Sequence, residues 1–266
     1  MTSIDLNSDI GESFGRWTLG NDAEVMRSIT SANIACGYHA GDPGVMRETV
    51  RMAKAAGVAI GAHPGFPDLV GFGRRNMSAT PNEVENFVLY QVGALAAIAA
   101  AEGVRLQHVK AHGALYNMAV WDRGLSEAIA RAVAAFDPAL ILFALPGTEL
   151  VRAAQAAGLR VATEGFADRA YQADGSLTPR ERQGAVIDDA GEVVARAVRI
   201  ARDGVATSID GTEIPMRVTT ICTHGDTPGS HKLTRALRDG LERAGLAIRP
   251  VGTWLDSAPA IRPGGA

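Results

Sequence analysis

Seven times along the chain, a short β-rich segment runs into a polar, glycine-containing cluster and then into a helical stretch. The segments are IDLNSDIGE from Ile4, SANIACGYHAGD from Ser31, VAIGAHPG from Val58, LQHVKAHGALYN from Leu106, ALILFALPGTE from Ala139, RVATEGFADR from Arg160 and VTTICTHGDTPG from Val218. Their mean spacing, about 36 residues, is that of a βαβ unit. Strands that alternate with helices in this way demand a parallel sheet with helices outside it. The 266 residues suit one α/β barrel or doubly wound domain, so a single domain over residues 1–266 is expected.

The helices between the strands carry start and stop signals. Asp42-Pro43 reads as an N-cap followed by a first-turn proline, and Thr80-Pro81-Asn82-Glu83 fits a capping box opening an Ala-rich helix through Ala101. Gly57, Gly103, Gly158, Gly204 and Gly245 follow helical runs, where a left-handed residue reverses the chain. Two insertions interrupt the pattern, Pro64 to Ala79 after strand 3 and Ala167 to Ile187 after strand 6. Loops this long at one end of a barrel read as lids or binding loops. Val205 to Arg217, with Asp210-Gly211 at its centre, reads as a small hairpin.

Composition narrows the function classes. The 47% hydrophobic content excludes disorder, and a formal net charge of -3 with no basic run argues against a nucleic-acid partner. The opening MTSIDLNSDIGE has acids where a secretory signal has lysines, so a cytoplasmic location is expected. The apolar run Phe87 to Ala101 is too short to span a bilayer and reads as a buried helix. Cys36 and Cys222 fall on strands that are not neighbours, which makes them buried reduced thiols.

Period-2 alternation sorts each strand by face. Asp5, Asn7 and Asp9 oppose Ile4, Leu6 and Ile10; Asn33, Ala35, Gly37 and His39 oppose Ile34 and Cys36. Gly61 and His63 share a face, as do His108, Lys110 and His112, and as do Thr220, Cys222 and His224. The branched apolar faces belong under helices, which turns the polar faces into a barrel. Functional groups of such folds gather at the carboxyl ends of the strands. Asp9, Glu12, His39, Asp42, His63, His112, Glu164, Asp168, His224 and Asp226 all fall there. So many ionisable groups on one rim require water, a ligand or each other. Lys110 reads either as an anion-holding or low-pKa lysine or as an ion pair with Glu164 or Asp9. Asp9, His39 and His63 have the chemistry of a divalent-metal site, although no HExxH motif accompanies them. Gly225 to Lys232, including Asp226 and Gly229, is a turn into the last helix that reads either as a phosphate site or as an ordinary helix start. Arg74, Arg75, Arg169, Arg180 and Arg182 lie in the insertions, as candidates to close over an anion or as solvated surface charges.

The blocks LNSDIGESFG at Leu6, SANIACGYHAGDP at Ser31, IGAHPGFPDLVGFGRR at Ile60, VKAHGALYN at Val109, EGFADRAY at Glu164 and CTHGDTPG at Cys222 closely resemble the LamB/YcsF family. The resemblance runs from strand 1 to about Leu246. It implies a seven-stranded, TIM-like (β/α) barrel of the glycoside hydrolase/deacetylase type. It also implies ATP-dependent ring opening of 5-oxo-L-proline to L-glutamate together with 5-oxoprolinase subunits B and C, with Mg accompanying ATP. Carried over block by block, the implied catalytic residues are Asp9, His63, Lys110, Glu164 and His224. The implied substrate- or nucleotide-binding residues are Asn7, Glu12, His39, Asp42, His112, Asp168, Arg169, Asp226 and Gly229. Deacetylase relatives hold a metal with one Asp and two His, but their paired-aspartate block is missing here, which leaves the metal unassigned. Two other readings accompany this one: a metal-dependent deacetylase or amidohydrolase on the same barrel, and a non-catalytic substrate-binding subunit.

Overall fold

A computed structural model describes residues 2–224 and 229–257. Seven parallel strands close into a barrel: β1 (Ser3–Ile10), β2 (Ser31–Ala35), β3 (Ala59–His63), β4 (Leu106–Val109), β5 (Ile141–Ala144), β6 (Arg160–Phe166) and β9 (Thr220–His224). They pair in chain order, and β9 closes the ring by pairing β6 through Glu164 with Thr220 and β1 through Asp5 with Thr220. A short antiparallel pair, β7 (Val205–Thr207) and β8 (Glu213–Pro215), stands outside the ring. A two-residue strand, β10 (Ala247–Ile248), extends the sheet beside the start of β1.

The helices are α1 (Asp22–Val25), α2 (Pro43–Ala56), α3 (Pro81–Ala101), α4 (Gly113–Ala119), α5 (Arg123–Phe136), α6 (Glu149–Ala156), α7 (Ala190–Asp203) and α8 (Ser230–Arg243). The sequence signals act as expected at α2, where Asp42 accepts from the Gly44 and Val45 amides, and at α3, where Thr80 and Glu83 form a reciprocal capping box. The outward faces of the strands, Ile4, Leu6, Ile10, Ile34 and Ile60 among them, form the main core with the helices.

Three features differ from the sequence reading. First, α3 is buried along one face only, through Val84, Val88, Gln91, Val92, Leu95 and Ala99, while Leu89 and Tyr90 are exposed. By length and composition it could cross a bilayer, yet it packs against α2, α5 and β3, because an outer barrel helix has one sheet to cover. Second, the inward face of β5 is apolar: Ile141 and Phe143 join Ala162 and Val251 in a separate small core. Val251 belongs to a 3-10 turn beyond the matched blocks, and this tail, with Trp254 and Leu255 packed on it, fills the amino end of the barrel. Third, Gly61 is more than a small inward neighbour of His63, which is all the face pattern showed. It lies within β3, where a Cβ would come within 2.1 Å of the His108 ring, so its missing side chain is the space that the ring occupies. Cys36 and Cys222 are free, buried thiols on the two strand lines flanking β1.

Candidate functional site

The carboxyl ends of the strands open into a cavity of about 720 Å³. Asp9, Lys110 and His224 reach it from the strands, Arg74 from the first insertion, and Arg169 and Arg180 from the second. Both insertions therefore wall the mouth.

Beneath the cavity the inward side chains form a run of hydrogen bonds with one another. His108 Nε2 donates to Asn33 Oδ1 at 2.8 Å and stacks on Phe143, while Asn33 Nδ2 donates to Asn7 Oδ1 at 2.7 Å and Asp9 Oδ1 at 2.8 Å. Asn7 Nδ2 in turn donates to Glu164 at 3.0 Å and to Thr220 at 2.7 Å. At the lowest level Asp5 accepts from the Thr30, Ser31 and Thr220 hydroxyls. Burial pushes its carboxyl up to about 6 despite those bonds.

Lys110 stands at the junction between this network and the cavity. Its ammonium lies 3.0 Å from Asp9 Oδ1, 2.9 Å from Glu164 Oε1 and 3.0 Å from Cys222 Sγ. Burial alone would strip its proton, but Asp9, Cys222 and Glu164 together outweigh that and hold the ammonium well above the ordinary lysine range. Of the two sequence readings the ion pair is what forms, with both carboxylates at once. Asp9 shows the complementary balance: burial would raise its carboxyl, and His63 and Lys110 hold it well below the usual range.

At the rim, Glu12, His39, His63 and His112 bring four potential ligand atoms within 4.8 Å of one another. His39 and His112 stack with their ring centres 3.6 Å apart, and both turn a nitrogen toward Glu12 Oε1, at 3.4 and 3.6 Å. His63 Nδ1 donates to the Lys110 carbonyl at 2.7 Å, and His112 Nε2 donates to the Phe72 carbonyl at 2.8 Å. Burial holds His39 and His112 well below the ordinary histidine range, so both are neutral imidazoles. The first insertion closes on this cluster through backbone: a Cβ on Gly73 would sit 2.8 Å from both His112 and His39. Three imidazoles and a carboxylate suit a divalent metal of the zinc type. This group differs from the expected Asp9, His39 and His63, since Asp9 reaches it only through His63, at 3.3 Å.

A second pair lies across the cavity. His224 Nδ1 donates to Asp168 Oδ2 at 2.9 Å, and the His224 amide donates to the same oxygen at 3.0 Å. Burial would raise the Asp168 carboxyl; the His224 ring outweighs this and holds it below the usual range.

The other expected site residues have structural settings. Asp42 spends one carboxylate oxygen on the α2 cap and the other on the Gly15 amide. Arg169 lines the cavity, but its guanidinium donates to the Thr178 and Ala185 carbonyls and so ties the second insertion together. Gly229 is the exposed residue before α8, with a φ of 84°, and Asp226 lies outside the described residues together with Gly225, Thr227 and Pro228. Two arrangements escape the sequence reading: the contact of Cys222 with Lys110, and the Asp168–His224 pair. The second is open to the strand order, because β6 and β9 are neighbours; the first is open only to alternation, which turns Lys110 and Cys222 inward from strands that are not neighbours.

A seven-stranded parallel barrel with ionisable groups converging at the carboxyl ends of its strands defines an enzyme-type architecture. Within that class the chain belongs to the LamB/YcsF family, whose sequence model matches residues 4–256. A relative from Methylococcus capsulatus that bears the name of the 5-oxoprolinase A component is 55% identical over 96% of this chain and 98% of its own length. The crystal structure of a lactam utilization protein from Thermus thermophilus superposes with a TM-score of 0.89 at 51% identity, covering 94% of this chain and all of that one. A T48 deacetylase shares the fold alone, with a TM-score of 0.50 and 13% identity over 96% of this chain and 92% of that one.

Proposed function

We propose that this chain is the A component of a 5-oxoprolinase and opens the ring of 5-oxo-L-proline to give L-glutamate, in an ATP-dependent reaction in the cytoplasm with subunits B and C. The observation that carries the reading is the 55% identity, over 98% of its length, to a protein of that name. The geometry supplies compatible chemistry. A five-membered lactam is a poor electrophile, and ATP activates it by phosphorylating the amide oxygen. Water adds to the ring carbon, the C–N bond breaks as the nitrogen takes a proton and leaves as the amine, and a second water hydrolyses the resulting acyl phosphate to L-glutamate and inorganic phosphate.

In this proposal the Lys110 ammonium neutralises charge that develops on the lactam oxygen or the transferred phosphoryl group. Asp9 and Glu164 keep that ammonium charged. His224, with Nδ1 fixed by Asp168, presents Nε2 for proton transfer, the division of labour known from histidine–carboxylate pairs. His63 supports it from the opposite wall, and Arg74 and Arg180 at the rim favour an anionic substrate. The test is to replace Asp9, Lys110 and His224 singly by Ala and to measure ATP-coupled glutamate release with subunits B and C present. Each variant is expected to lose about 100-fold or more; wild-type turnover in all three would end the proposal.

The imidazole cluster favours a second reading, metal-dependent amide hydrolysis without ATP. It calls for chelator-sensitive turnover with no ADP formed, whereas the first calls for ADP formation that depends on 5-oxoproline.

A further inference from the structure

The hydrogen bonds of His63 and His112 fix which ring atoms face each other. A carbonyl oxygen only accepts, so His63 Nδ1 and His112 Nε2, bonded to the Lys110 and Phe72 carbonyls, both carry hydrogen. In neutral rings the remaining nitrogens, His63 Nε2 and His112 Nδ1, are then bare lone pairs, and they lie 3.0 Å apart. Asp9 Oδ2 faces the first at 3.3 Å, and Glu12 Oε1 faces the second at 3.6 Å. His39, fully buried, has no hydrogen-bond partner on either ring nitrogen among the described residues, and its Nε2 lies 3.4 Å from the same Glu12 oxygen. His63 Nε2 and His112 Nδ1 thus meet lone pair to lone pair, beside a His39 ring whose two nitrogens make no hydrogen bond among the described residues.

One added proton relieves a single contact of this kind and leaves the rest. A divalent cation relieves them together. Two ligands at 2.0–2.1 Å on a tetrahedral ion are roughly 3.3 to 3.5 Å apart; three of the contacts here, at 3.0, 3.4 and 3.6 Å, lie about that spacing, and all four ligand atoms fall within 4.8 Å of one another, so a bound ion would draw the wider pairs in. The carbonyl anchors on the far nitrogens are the outer contacts that orient metal-binding histidines. Imidazole donors select an ion of the zinc type over magnesium, so this site is separate from any Mg bound with ATP. Glu12, His63 and His112 also line the cavity, so the ion would lie at its wall, where a fifth ligand from the cavity could join the four side chains.

We propose that Glu12, His39, His63 and His112 form a binding site for one divalent transition-metal ion of the zinc class. Asp9 stands outside the ligand set, because its Oδ1 is held by Lys110 and Asn33 and its Oδ2 approaches only His63 among the described residues, apart from the four ligand atoms that lie within 4.8 Å of one another. When bound, such an ion supplies Lewis-acid polarisation of a carbonyl or water oxygen at the cavity wall. The site stands or falls independently of the lactam reaction, since its test reads metal alone.

The full chain is stripped with chelator, dialysed against Co²⁺ and then against Zn²⁺, and assayed for bound metal, with the visible spectrum of the cobalt form recorded. The expected result is about one equivalent per chain and the intense visible absorption of a tetrahedral cobalt centre. Glu12→Gln and His112→Asn are each expected to weaken binding about tenfold or more, and Asp9→Asn to leave it nearly unchanged. If either ligand variant fails to fold by circular dichroism, the stoichiometry and cobalt spectrum of the wild type decide the matter. Sub-stoichiometric metal in the wild type, an octahedral cobalt spectrum, or binding lost in Asp9→Asn but kept in Glu12→Gln would overturn the proposal.

Discussion

In the lower half of the barrel Asn33 accepts from His108 and donates to Asn7 and Asp9, while Asn7 passes the chain of bonds to Glu164 and Thr220. At the rim His39, His63, His112 and Glu12 meet mostly acceptor to acceptor. The two regions use similar side chains in similar burial, so burial alone does not mark a site. What separates them is how the polar atoms meet. The lower layer is joined by a run of donor–acceptor bonds and serves as scaffold; in the upper layer His63 and His112 face each other through bare nitrogens and His39 makes no hydrogen bond among the described residues, a layer shaped for something that arrives from the cavity.

The sharpest way to break the contrast is at the junction. Lys110→Met leaves the Asp9 and Glu164 carboxylates buried without their shared cation, and should cost about 3–5 kcal/mol in urea or guanidinium unfolding. A loss below about 1 kcal/mol would mean that the lower network does not depend on the ion pair.

The scaffold should also betray itself by its response to acid. Burial, with help from Lys110 and His63, lowers the His108 ring from 6.5 to about 3. The unfolded chain therefore takes up this proton first. The stability it contributes is fully present above pH 6.5 and is lost as pH falls toward 3, by up to roughly 5 kcal/mol over the whole window. His108→Gln should flatten the decline of unfolding free energy between pH 6.5 and 4; an unchanged slope would remove His108 as its source.

The smallest effect belongs far from both layers. Thr80→Ala breaks the capping box of α3 and should lower stability by about 1 kcal/mol, read as a shift in denaturation midpoint. Glutamate release with subunits B and C present should stay at the wild-type rate, because neither Thr80 nor Glu83 lines the cavity.

Much of this was legible in the sequence. The seven βα units, the inward polar faces and the caps at Asp42 and Thr80 follow from local periodicity and capping chemistry, which act over a few residues. What the sequence left open depends on neighbours distant along the chain. Whether Lys110 would be a low-pKa amine or an ion pair turned on Glu164, 54 positions away. Asp42 sat at a strand end like the catalytic candidates, and only its backbone contacts showed that its carboxylate was already used. The tail residues Val251 and Trp254 carry no repeat signal, since they fill a hole whose shape other strands define.

β1 is the longest strand of the barrel, and it sets one polar residue in each storey: Asp5 among the lower hydroxyls, Asn7 in the middle network and Asp9 beside Lys110. A slip of one residue against β2 and β9 would turn all three toward the helices and bring Ile4, Leu6 and Ile10 inside. No partly correct site survives such an error, because every storey fails together. The chain therefore proofreads its chemistry as it folds: a barrel that closes in the wrong register carries too many stranded charges to persist, and one that persists already holds its reactive groups in place.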